Sequence, residues 1–433
     1  MPTRFHLGWF ASYSVGDWNA SFSSGERPWS GEPYIDMAKA LERACFDFIL
    51  FEDTLMISEA YGGSTEAYLK YAVASPKSDP APLVAVLGNH TRHLGVAATL
   101  STISYHPFTL ARLCATLDNI SNGRFGWNIV TSGEDLAAQN LGMDELPPRE
   151  LRYDMADEYV ALCNQLWASW APDAVVLDRQ TNTYADYRKV KPIHFAGKYY
   201  KCRGPLNCVP PVQGRPVFIQ AGGSPRGRAF AAEIADCVVA TSAGVKAMKE
   251  YRDDIRRRAT AFGRNPDDIK VLFVVTPIVS DTDEAAKAML DAYATSDTFR
   301  IRYLSSISAV TDIDFSQFEL DAELPRLTTN GEQGSLDAFA QWGSKKTLRQ
   351  LIVDRATRGL GGLTGTPESV AAYLAEVMEE VGGDGFLITS PFQKYNSRYV
   401  ATICDGLVPA LQRRGLTRTR YTGRTFRETL LEF

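Results

Sequence analysis

Two glycines and a serine stand between a strand-like run and a helical run in the stretch "AGGSPRGR", residues 221–228. Backbone N–H groups at a helix start, with a serine hydroxyl beside them, can bind a phosphate, and glycines let the backbone approach it closely. Arg226 or Arg228 could add charge, although arginine is unfavourable at the positive end of a helix dipole. A plain turn with Ser224 as N-cap and Pro225 at the first helical position would look the same. This stretch alone leaves both interpretations open.

A second candidate for anion binding lies at the start of the helical run "PPRELRYDMADEYVALCNQLW". Arg149 and Tyr153 are four residues apart, so they share one face of the predicted helix at its N-terminus. A guanidinium and a phenol in that position suit a phosphomonoester. A solvated Arg149 beside a half-buried Tyr153 is the alternative.

Aromatic, hydroxyl and amide residues dominate the positions that follow the strand-like runs. These positions are Trp9, Phe10, Asp53, Thr99, Ser101, His106, Asn128, Thr131 and Ser132. The sequence has no HExxH motif and no G-x-S-x-G elbow, and "GGLTGTPES" lacks the lysine of a nucleotide-binding P-loop. The set therefore suits a large, flat, partly apolar cofactor better than metal-dependent or triad hydrolysis.

His106 directly precedes Pro107, after the third strand-like run. Its imidazole could hydrogen-bond a cofactor or substrate, and it could equally cap the helix that follows. His6 lies within the first strand, while His90 and His93 flank a turn, so we expect structural roles for these three.

Eight apolar strand-like runs alternate with helical sequence along the chain. They cover residues 4–10, 46–53, 93–102, 124–132, 216–224, 237–244, 271–280 and 385–391. The runs are apolar nearly throughout, as in parallel strands that helices cover on both faces. Eight β-then-α units predict one (β/α)₈ barrel over residues 1–433, which brings the strand-end residues to one rim. A doubly wound sheet is the alternative, but eight regular units fit closure better.

Two stretches are longer than the connections that a minimal (β/α)₈ barrel needs. Residues 172–215 contain a predicted hairpin that turns at Ala196-Gly197, and residues 297–365 form a long insertion before the last β/α unit. Long connections of this kind are often functional, and we expect 297–365 to be a lid. We expect both insertions at the C-terminal side of the strands, where barrel active sites lie.

Composition excludes several classes of partner. The 433 residues carry a net charge of −5 without a run of Lys or Arg, so nucleic acid and anionic membranes are not expected partners. The N-terminus has no signal-peptide pattern and no window has the length of a membrane span. The seven cysteines are scattered, and Cys202 and Cys208 lack a histidine at zinc-ligand spacing. We expect reduced thiols, a cytoplasmic protein and no metal site.

The motifs "RFGWNIVTS", "RYDMADEY", "FAGKYYKCRGPL" and "PVFIQAGGSPRGRAFAAEIAD" resemble those of flavin-dependent monooxygenases of the bacterial-luciferase superfamily. The resemblance is strongest to the nitrilotriacetate, dibenzothiophene-sulfone and long-chain-alkane branch, and it extends from about residue 4 to "YTGRTFRETL". It implies a luciferase-like barrel that binds reduced FMN, supplied by a separate NAD(P)H:FMN reductase. With O₂ as co-substrate, the enzyme would oxygenate a small organic molecule, with cleavage of a C–S, C–N or related bond.

By motif position, the resemblance also implies which residues contact the FMN. They are Asp53, Thr99, Asn128, Arg149, Tyr153, Gly223 and Ser224. Some members carry a histidine in place of Arg149, and some relatives place one at Gly133. We take His106 and Asn128 as the candidate catalytic residues.

An aromatic substrate pocket is a further expectation, because it would suit an apolar, planar or sulfur-containing substrate. The candidates are Trp9, Phe10, Tyr13, Trp18, Tyr61 and Tyr105. Aromatic side chains also fill cores, so we expect about half of them to face the site.

Other functions stay open on the sequence. A deazaflavin-dependent dehydrogenase or a non-catalytic flavin-binding protein could use the same barrel, whereas a metal-dependent barrel hydrolase fits least because His and Asp are not clustered. No GxGxxG unit is evident, so NAD(P)H would act only through the reductase. A homodimer or homotetramer is the expected assembly.

Overall fold

Eight parallel strands close into a barrel in the computed structural model, which describes residues 4–16, 18, 29–241, 244–357, 360–391 and 394–433. Numbered in chain order, the barrel strands are β1 (His6–Ser12), β2 (Phe48–Glu52), β3 (Gly95–Ser101), β4 (Phe125–Val130), β5 (Val217–Gln220), β6 (Cys237–Ala240), β7 (Lys270–Val275) and β8 (Gly385–Thr389). Around the barrel they follow the order β1-β8-β7-β6-β5-β4-β3-β2. The predicted (β/α)₈ architecture is confirmed.

Helices follow the strands, and most of them cover the outside of the barrel. They are α1 (Glu32–Arg43), α2 (Glu66–Lys70), α3 (Pro80–His90), α4 (Pro107–Ile120), α5 (Asp135–Asn140), α6 (Arg149–Trp167), α7 (Pro225–Ile234), α8 (Val245–Ala261), α9 (Asp283–Ala294), α10 (Asp297–Thr311), α11 (Gln333–Ala340), α12 (Leu348–Thr357), α13 (Pro367–Val381), α14 (Ser397–Ala401), α15 (Val408–Arg413) and α16 (Phe426–Leu430). Between α14 and α15, residues Thr402–Leu407 form a π-helix. The strands are buried almost throughout because the helices cover one face and the barrel core fills the other.

The C-terminal helix α16 closes the N-terminal end of the barrel. Its Phe426 packs inside the barrel against Phe48, with ring centroids 5.1 Å apart. A Cβ at Gly95 would lie 2.7 Å from the Phe426 ring, and one at Gly126 would lie 2.9 Å from it. Glycine at both strand positions therefore makes room for the aromatic plug, which leaves the opposite end of the barrel for a site.

Adjacent residues in the middle of β4 face opposite sides of the sheet. Trp127 packs in the layer between strands and helices, whereas Asn128 lines the inner cavity. The register pairs Asn128 with Thr99 on β3 and with Ile219 on β5. Because side chains alternate along a strand, Thr99 and Asn128 lie side by side at the same depth of the barrel.

The 172–215 insertion lies elsewhere than expected. It contains two short antiparallel pairs, Val175–Asp178 with Thr183–Ala185 and Phe195–Ala196 with Lys201–Cys202. The Glu158 carboxylate on α6 accepts hydrogen bonds from the backbone N–H groups of residues 198–200. The segment connects a helix to the next strand, so it packs outside the barrel, and none of its residues lines the cavity in the described chain.

Residues 297–365, which we call the lid segment, form α10, α11 and α12 and have an apolar cluster of their own. The buried members of this cluster are Phe299, Tyr303, Leu304, Ile307, Phe315, Leu336, Phe339, Leu348, Leu351 and Ile352. The segment follows β7 and reaches the C-terminal ends of the strands, where it supplies a wall of the cavity.

Candidate cofactor and active site

A cavity of about 1780 Å³ opens between the C-terminal ends of the barrel strands and the lid segment. This volume exceeds what a typical small ligand fills, so it can hold a large cofactor and a second molecule. Its lining includes the predicted cofactor residues Asp53, Thr99, Asn128, Arg149, Tyr153, Gly223 and Ser224. The structure therefore brings residues from five separate stretches of the sequence together.

Two buried amide oxygens in this cavity have no hydrogen-bond partner within the described chain. Asn128 donates from Nδ2 to Oγ1 of Thr99 at 2.7 Å, which leaves its Oδ1 unpartnered. Gln220, at the end of β5, has an unpartnered Oε1. Because burying an unpaired acceptor is costly, these atoms point to a bound group that carries N–H donors. Gln220 was missed in the sequence, where a polar residue ending an apolar strand before a glycine turn could have revealed it.

The serine of the "AGGSPRGR" turn is the N-cap of α7. Its Oγ accepts a hydrogen bond from the backbone N–H of Gly227 at 3.1 Å. Tyr251 donates to the carbonyl of Gly222 at 2.6 Å, and a Cβ at Gly222 would lie 2.3 Å from the Gly227 oxygen. The turn is thus held by contacts with α7 and α8, with Gly223 and Ser224 at the cavity wall.

Arg226 and Arg228 do not supply charge to the cavity. Arg226 forms ion pairs with Asp157 and, at 3.4 Å, with Asp154 on α6. Arg228 donates to the Gly223 carbonyl at 3.1 Å and approaches Asp254 at 3.4 Å. Carboxylates from neighbouring helices therefore resolve the unfavourable placement of these arginines, and neither lines the cavity in the described chain.

Arg149 and Arg152 tie the start of α6 to the lid segment. Arg149 donates from Nη2 to the carbonyls of Thr329 and Gly331 at 2.6 and 2.9 Å. Arg152, buried one residue before Tyr153, donates to the carbonyl of Asn330 at 3.1 Å. Burial, reinforced by Arg149, lowers the pKa of Arg152 to about 10. The role of Arg152 was missed, since nothing in the sequence links it to a segment 178 residues away.

The lid backbone touches the turn directly. A Cβ at Gly223 would lie 2.7 Å from the Cα of Gly334, and one at Gly334 would lie 2.7 Å from the Cα of Gly223. The two glycines permit this approach, which closes the cavity beside the N-terminus of α7.

Asp53 lies in the cavity wall after β2, among other charged groups. Burial raises its pKa to about 7, although the nearby Lys77 opposes the change. Lys77 donates to Oε2 of Glu52 at 2.5 Å. Asp53 can therefore hold or release a proton near neutral pH. The sequence did not identify Lys77, because it precedes α3 in an irregular connection.

Glu134 is a second carboxyl group in the cavity that the sequence did not reveal. Its Oε2 accepts from the Gly133 N–H at 3.1 Å, and burial, together with Glu332 of the lid segment, raises its pKa to about 7. A Cβ at Gly133 would lie 3.5 Å from the Cα of Gly331, so this position is in contact with the lid.

Only some of the aromatic candidates face the cavity. Phe10 and Tyr105 line it. Trp9 is buried in the layer between the strands and the surrounding helices, where its ring packs edge-on against Phe46 and Tyr399. Trp9 was a wrong pocket assignment, because it alternates with Phe10 along β1.

Three further aromatic candidates lie outside the cavity lining. Tyr13 donates to the carbonyl of Trp29 at 3.2 Å. Tyr61 packs against the apolar cluster of the lid segment, and Trp18 is half exposed. None of the three lines the cavity in the described part of the chain.

His106 is a helix cap. Its Nδ1 accepts from the Phe108 N–H at 3.3 Å at the start of α4, its side chain is exposed, and the cavity lining in the described residues does not include it. The capping alternative therefore accounts for its position, and the catalytic assignment does not. The described residues also contain no group of three or more His, Cys, Asp or Glu side chains that could hold a metal ion.

The chain belongs to the luciferase-like monooxygenase family, whose family model matches residues 6–385. It is 34% identical to a dimethyl-sulfide monooxygenase of Hyphomicrobium sulfonivorans, covering 99% of this chain and 89% of the relative. It is 32% identical to the nitrilotriacetate monooxygenase component A of Aminobacter aminovorans, covering 99% and 96%. The solved structure of a riboflavin lyase with modified FMN and riboflavin matches with a TM-score of 0.89 at 30% identity, covering 100% and 96%.

These matches confirm the family and the fold predicted from the motifs, and they identify the chain as an oxidoreductase of the monooxygenase type. None of the helices in the described residues combines the length and apolar character needed to cross a membrane.

Proposed function

We propose that this chain is the oxygenase of a two-component system, which binds reduced FMN from a separate NAD(P)H-dependent reductase and uses O₂ to oxygenate a small organic substrate. The observation that carries the proposal is that one cavity contains both unpartnered amide oxygens and a turn of the kind that binds phosphate. Asn128 and Gln220 supply the first feature, and Gly223 and Ser224 supply the second.

The phosphate end would be held at the N-terminus of α7. Gly223 and Ser224 present backbone N–H groups and a hydroxyl there, with Tyr153 and Arg149 lining the same cavity. Ser224 Oγ already accepts a bond, so its hydroxyl hydrogen is available to donate to a phosphate oxygen. Arg149 uses Nη2 for the lid carbonyls, which leaves its other N–H groups for an anion.

The ring end would be held by the strand ends. Oδ1 of Asn128 and Oε1 of Gln220 can accept hydrogen bonds from ring N–H groups, and reduced flavin carries more of these than oxidised flavin. We therefore expect the site to prefer the reduced form. Thr99 orients the Asn128 amide through its 2.7 Å hydrogen bond.

Bound reduced FMN supplies the chemistry with O₂, and the protein supplies position and exclusion of water. The lid segment closes over the turn through Gly334, and Asp53 can hold or release a proton because its pKa lies near 7. Asp53 is therefore the group in the predicted set that is best suited to proton transfer.

The named relatives support the finer parts of this proposal. One is a dimethyl-sulfide monooxygenase, which favours C–S chemistry, and one is called component A, which favours a separate reductase. The cavity of this chain, with Phe10 and Tyr105 in its wall, suits a small substrate with apolar surface.

The test is an anaerobic titration of the protein with reduced FMN, oxidised FMN and reduced deazaflavin, followed by mixing with O₂. We expect reduced FMN to bind more tightly than oxidised FMN, and ¹⁸O from ¹⁸O₂ to enter a product in a substrate screen. Asn128→Leu should weaken binding of reduced FMN by at least about tenfold, because one good hydrogen bond is lost and an apolar group replaces it. Asn265→Ala, at an exposed cap of residues 266–268, is the matched control and should leave binding unchanged.

Binding of reduced deazaflavin without binding of reduced FMN would instead make the chain a dehydrogenase. Binding of reduced FMN without oxygen transfer to any substrate, in a broad screen of sulfides, sulfones and amines, would make it a flavin carrier.

A further inference from the structure

Arg355, on α12 of the lid segment, lines the cavity without an ion pair or a hydrogen bond in the described chain. Its guanidinium lies over the ring of Tyr303, with 5.7 Å from the guanidinium carbon to the ring centroid. Arg149 and Arg152, in the same cavity, are both engaged by backbone carbonyls. Arg355 is thus a cation that lines the cavity and that has no anionic partner among the described residues.

Aromatic side chains next to Arg355 form part of the cavity wall. Tyr303 and Phe299 on α10 lie nearly parallel, with centroids 6.2 Å apart and an interplanar angle of 13°. Tyr293 on α9 contacts Phe299 edge-on at 5.2 Å. All three line the cavity together with Met289. The wall belongs to α9 and the lid segment, whereas the proposed cofactor contacts come from β2–β5 and the starts of α6 and α7.

Carboxylates do not neutralise Arg355. Asp281 and Asp405 line the cavity too, but no carboxylate oxygen among the described residues lies within 4.0 Å of the Arg355 side-chain nitrogens. A guanidinium presents a planar fork of N–H donors that matches a carboxylate or sulfonate, and it also stacks over aromatic rings. The pairing of this fork with an apolar wall favours a ligand that has both an oxoanion and an apolar body.

We propose that Arg355, with Tyr303, Phe299 and Tyr293, forms the subsite that binds the oxoanion, a carboxylate or sulfonate, of a substrate whose body is aromatic or branched aliphatic. This inference rests on the proposed function, because it assigns the substrate end of the same cavity. It defines Arg355 as a specificity-determining residue.

The test uses two dyes that differ in one anionic group, 8-anilinonaphthalene-1-sulfonate and the neutral N-phenyl-1-naphthylamine. Fluorescence titration of the purified full chain without flavin should show that the sulfonate binds about tenfold more tightly. Arg355→Met should weaken the sulfonate about tenfold and leave the neutral dye within about twofold, while Arg355→Lys should retain an intermediate affinity. Arg349→Met is the matched control, since Arg349 lies on the same helix, pairs with Asp321 and does not line the cavity in the described chain.

Equal affinity of wild type and Arg355→Met for the sulfonate, or an equal loss for both dyes, would overturn the subsite. So would displacement of the sulfonate by reduced FMN with a competitive dependence on concentration, because the dye would then occupy the cofactor end. Repeating the titration with 1-naphthoate and naphthalene-1-sulfonate, with 1-naphthamide as the neutral reference, separates a carboxylate preference from a sulfonate preference. The dye measurements need no flavin, so failure of the flavin titration alone would reject the monooxygenase proposal and leave the anion subsite standing.

Discussion

The two ends of the cavity are built on different principles. At the cradle end, which comprises Gly222–Ser224 and the residues around it, backbone contacts determine the geometry and the neighbouring arginines are engaged by carboxylates or carbonyls. At the lid end, side chains of α9, α10 and α12 form the wall, and Arg355 lines the cavity without an anionic partner among the residues that the structure describes. On the proposed function, we expect the cradle end to bind the cofactor, and we expect substitutions at the lid end to change substrate preference without disturbing the turn.

The largest effect should come from Gly222→Ala at the cradle end. The added Cβ would meet the Gly227 carbonyl oxygen at 2.3 Å, which is backbone and cannot move aside cheaply. We expect affinity for reduced FMN to fall at least about 100-fold and the free energy of unfolding to fall by about 1–3 kcal/mol, as for an overpacked core. Anaerobic titration and urea unfolding measure the two quantities.

Gly361→Ala is the control for this variant, because a Cβ there meets nothing within 4 Å. Wild-type affinity in Gly222→Ala would show that the turn does not hold the cofactor.

A smaller but substantial effect should come from Arg152→Met, which separates the cradle from the lid. The substitution leaves the carbonyls of Pro147 and Asn330 without this donor in a largely buried position. The expected loss in unfolding free energy is about 2–3 kcal/mol, with faster amide hydrogen exchange at residues 329–335. Arg326→Met, at an exposed lid position, should change neither measurement. Unaltered exchange at 329–335 in Arg152→Met would mean that the lid is held by other contacts.

Ser224→Ala should have a moderate effect confined to the cradle end. Losing an N-cap lowers the free energy of unfolding by about 1 kcal/mol, and losing the hydroxyl donor should lower affinity for reduced FMN about tenfold. Thr282→Ala removes the N-cap of α9, where Oγ1 accepts from Ala285 at 3.1 Å. That control should lose similar stability with unchanged FMN affinity. An equal drop in FMN affinity in both variants would attribute the effect to stability rather than to Ser224.

A last effect concerns the pH dependence of stability, through Asp53. Its pKa in the folded protein is raised to about 7 by burial, above its value of about 4 in an unfolded chain. Between these values the folded state holds a proton that the unfolded state has released, so this contribution is present below about pH 4 and is lost as pH rises to about 7. Asp53→Asn should therefore gain melting temperature relative to wild type as pH rises from 4 to 7. A constant difference across this range would show that Asp53 titrates normally.

Much of the architecture was predictable because it is local. The apolar runs of all eight strands were visible in the sequence, and so was the serine N-cap at the α7 start, which depends on a few neighbouring residues. The motif resemblance added a prediction of cofactor-contacting residues, among them Asp53, Thr99, Asn128 and Arg149, and all four line the cavity. A strand and a capped helix follow from periodicity and short-range hydrogen bonding, which one sequence contains in full.

The alternation of side chains explains why the aromatic candidates were only partly correct. Trp9 and Phe10 are adjacent on β1, and one enters the helix-facing core while the other enters the cavity. The sequence places both at a strand end, but the register of β1 against its neighbours decides which one faces inward.

The sequence by itself determined the eight apolar strand runs, the position of the glycine-serine turn and the polar residues in or after the strands, because each depends on neighbours within a few positions. Only the tertiary structure decided which arginines have partners. Arg226 forms an ion pair with Asp157 on α6, and Arg152 donates a hydrogen bond to the carbonyl of Asn330 in the lid segment. Arg355 has no anionic partner among the described residues. Ion pairing and burial depend on distances between elements that lie far apart along the chain. Arginines that look alike in the sequence therefore have different roles in the structure: Arg226 and Arg152 connect elements of the fold, whereas Arg355 is a candidate binding group.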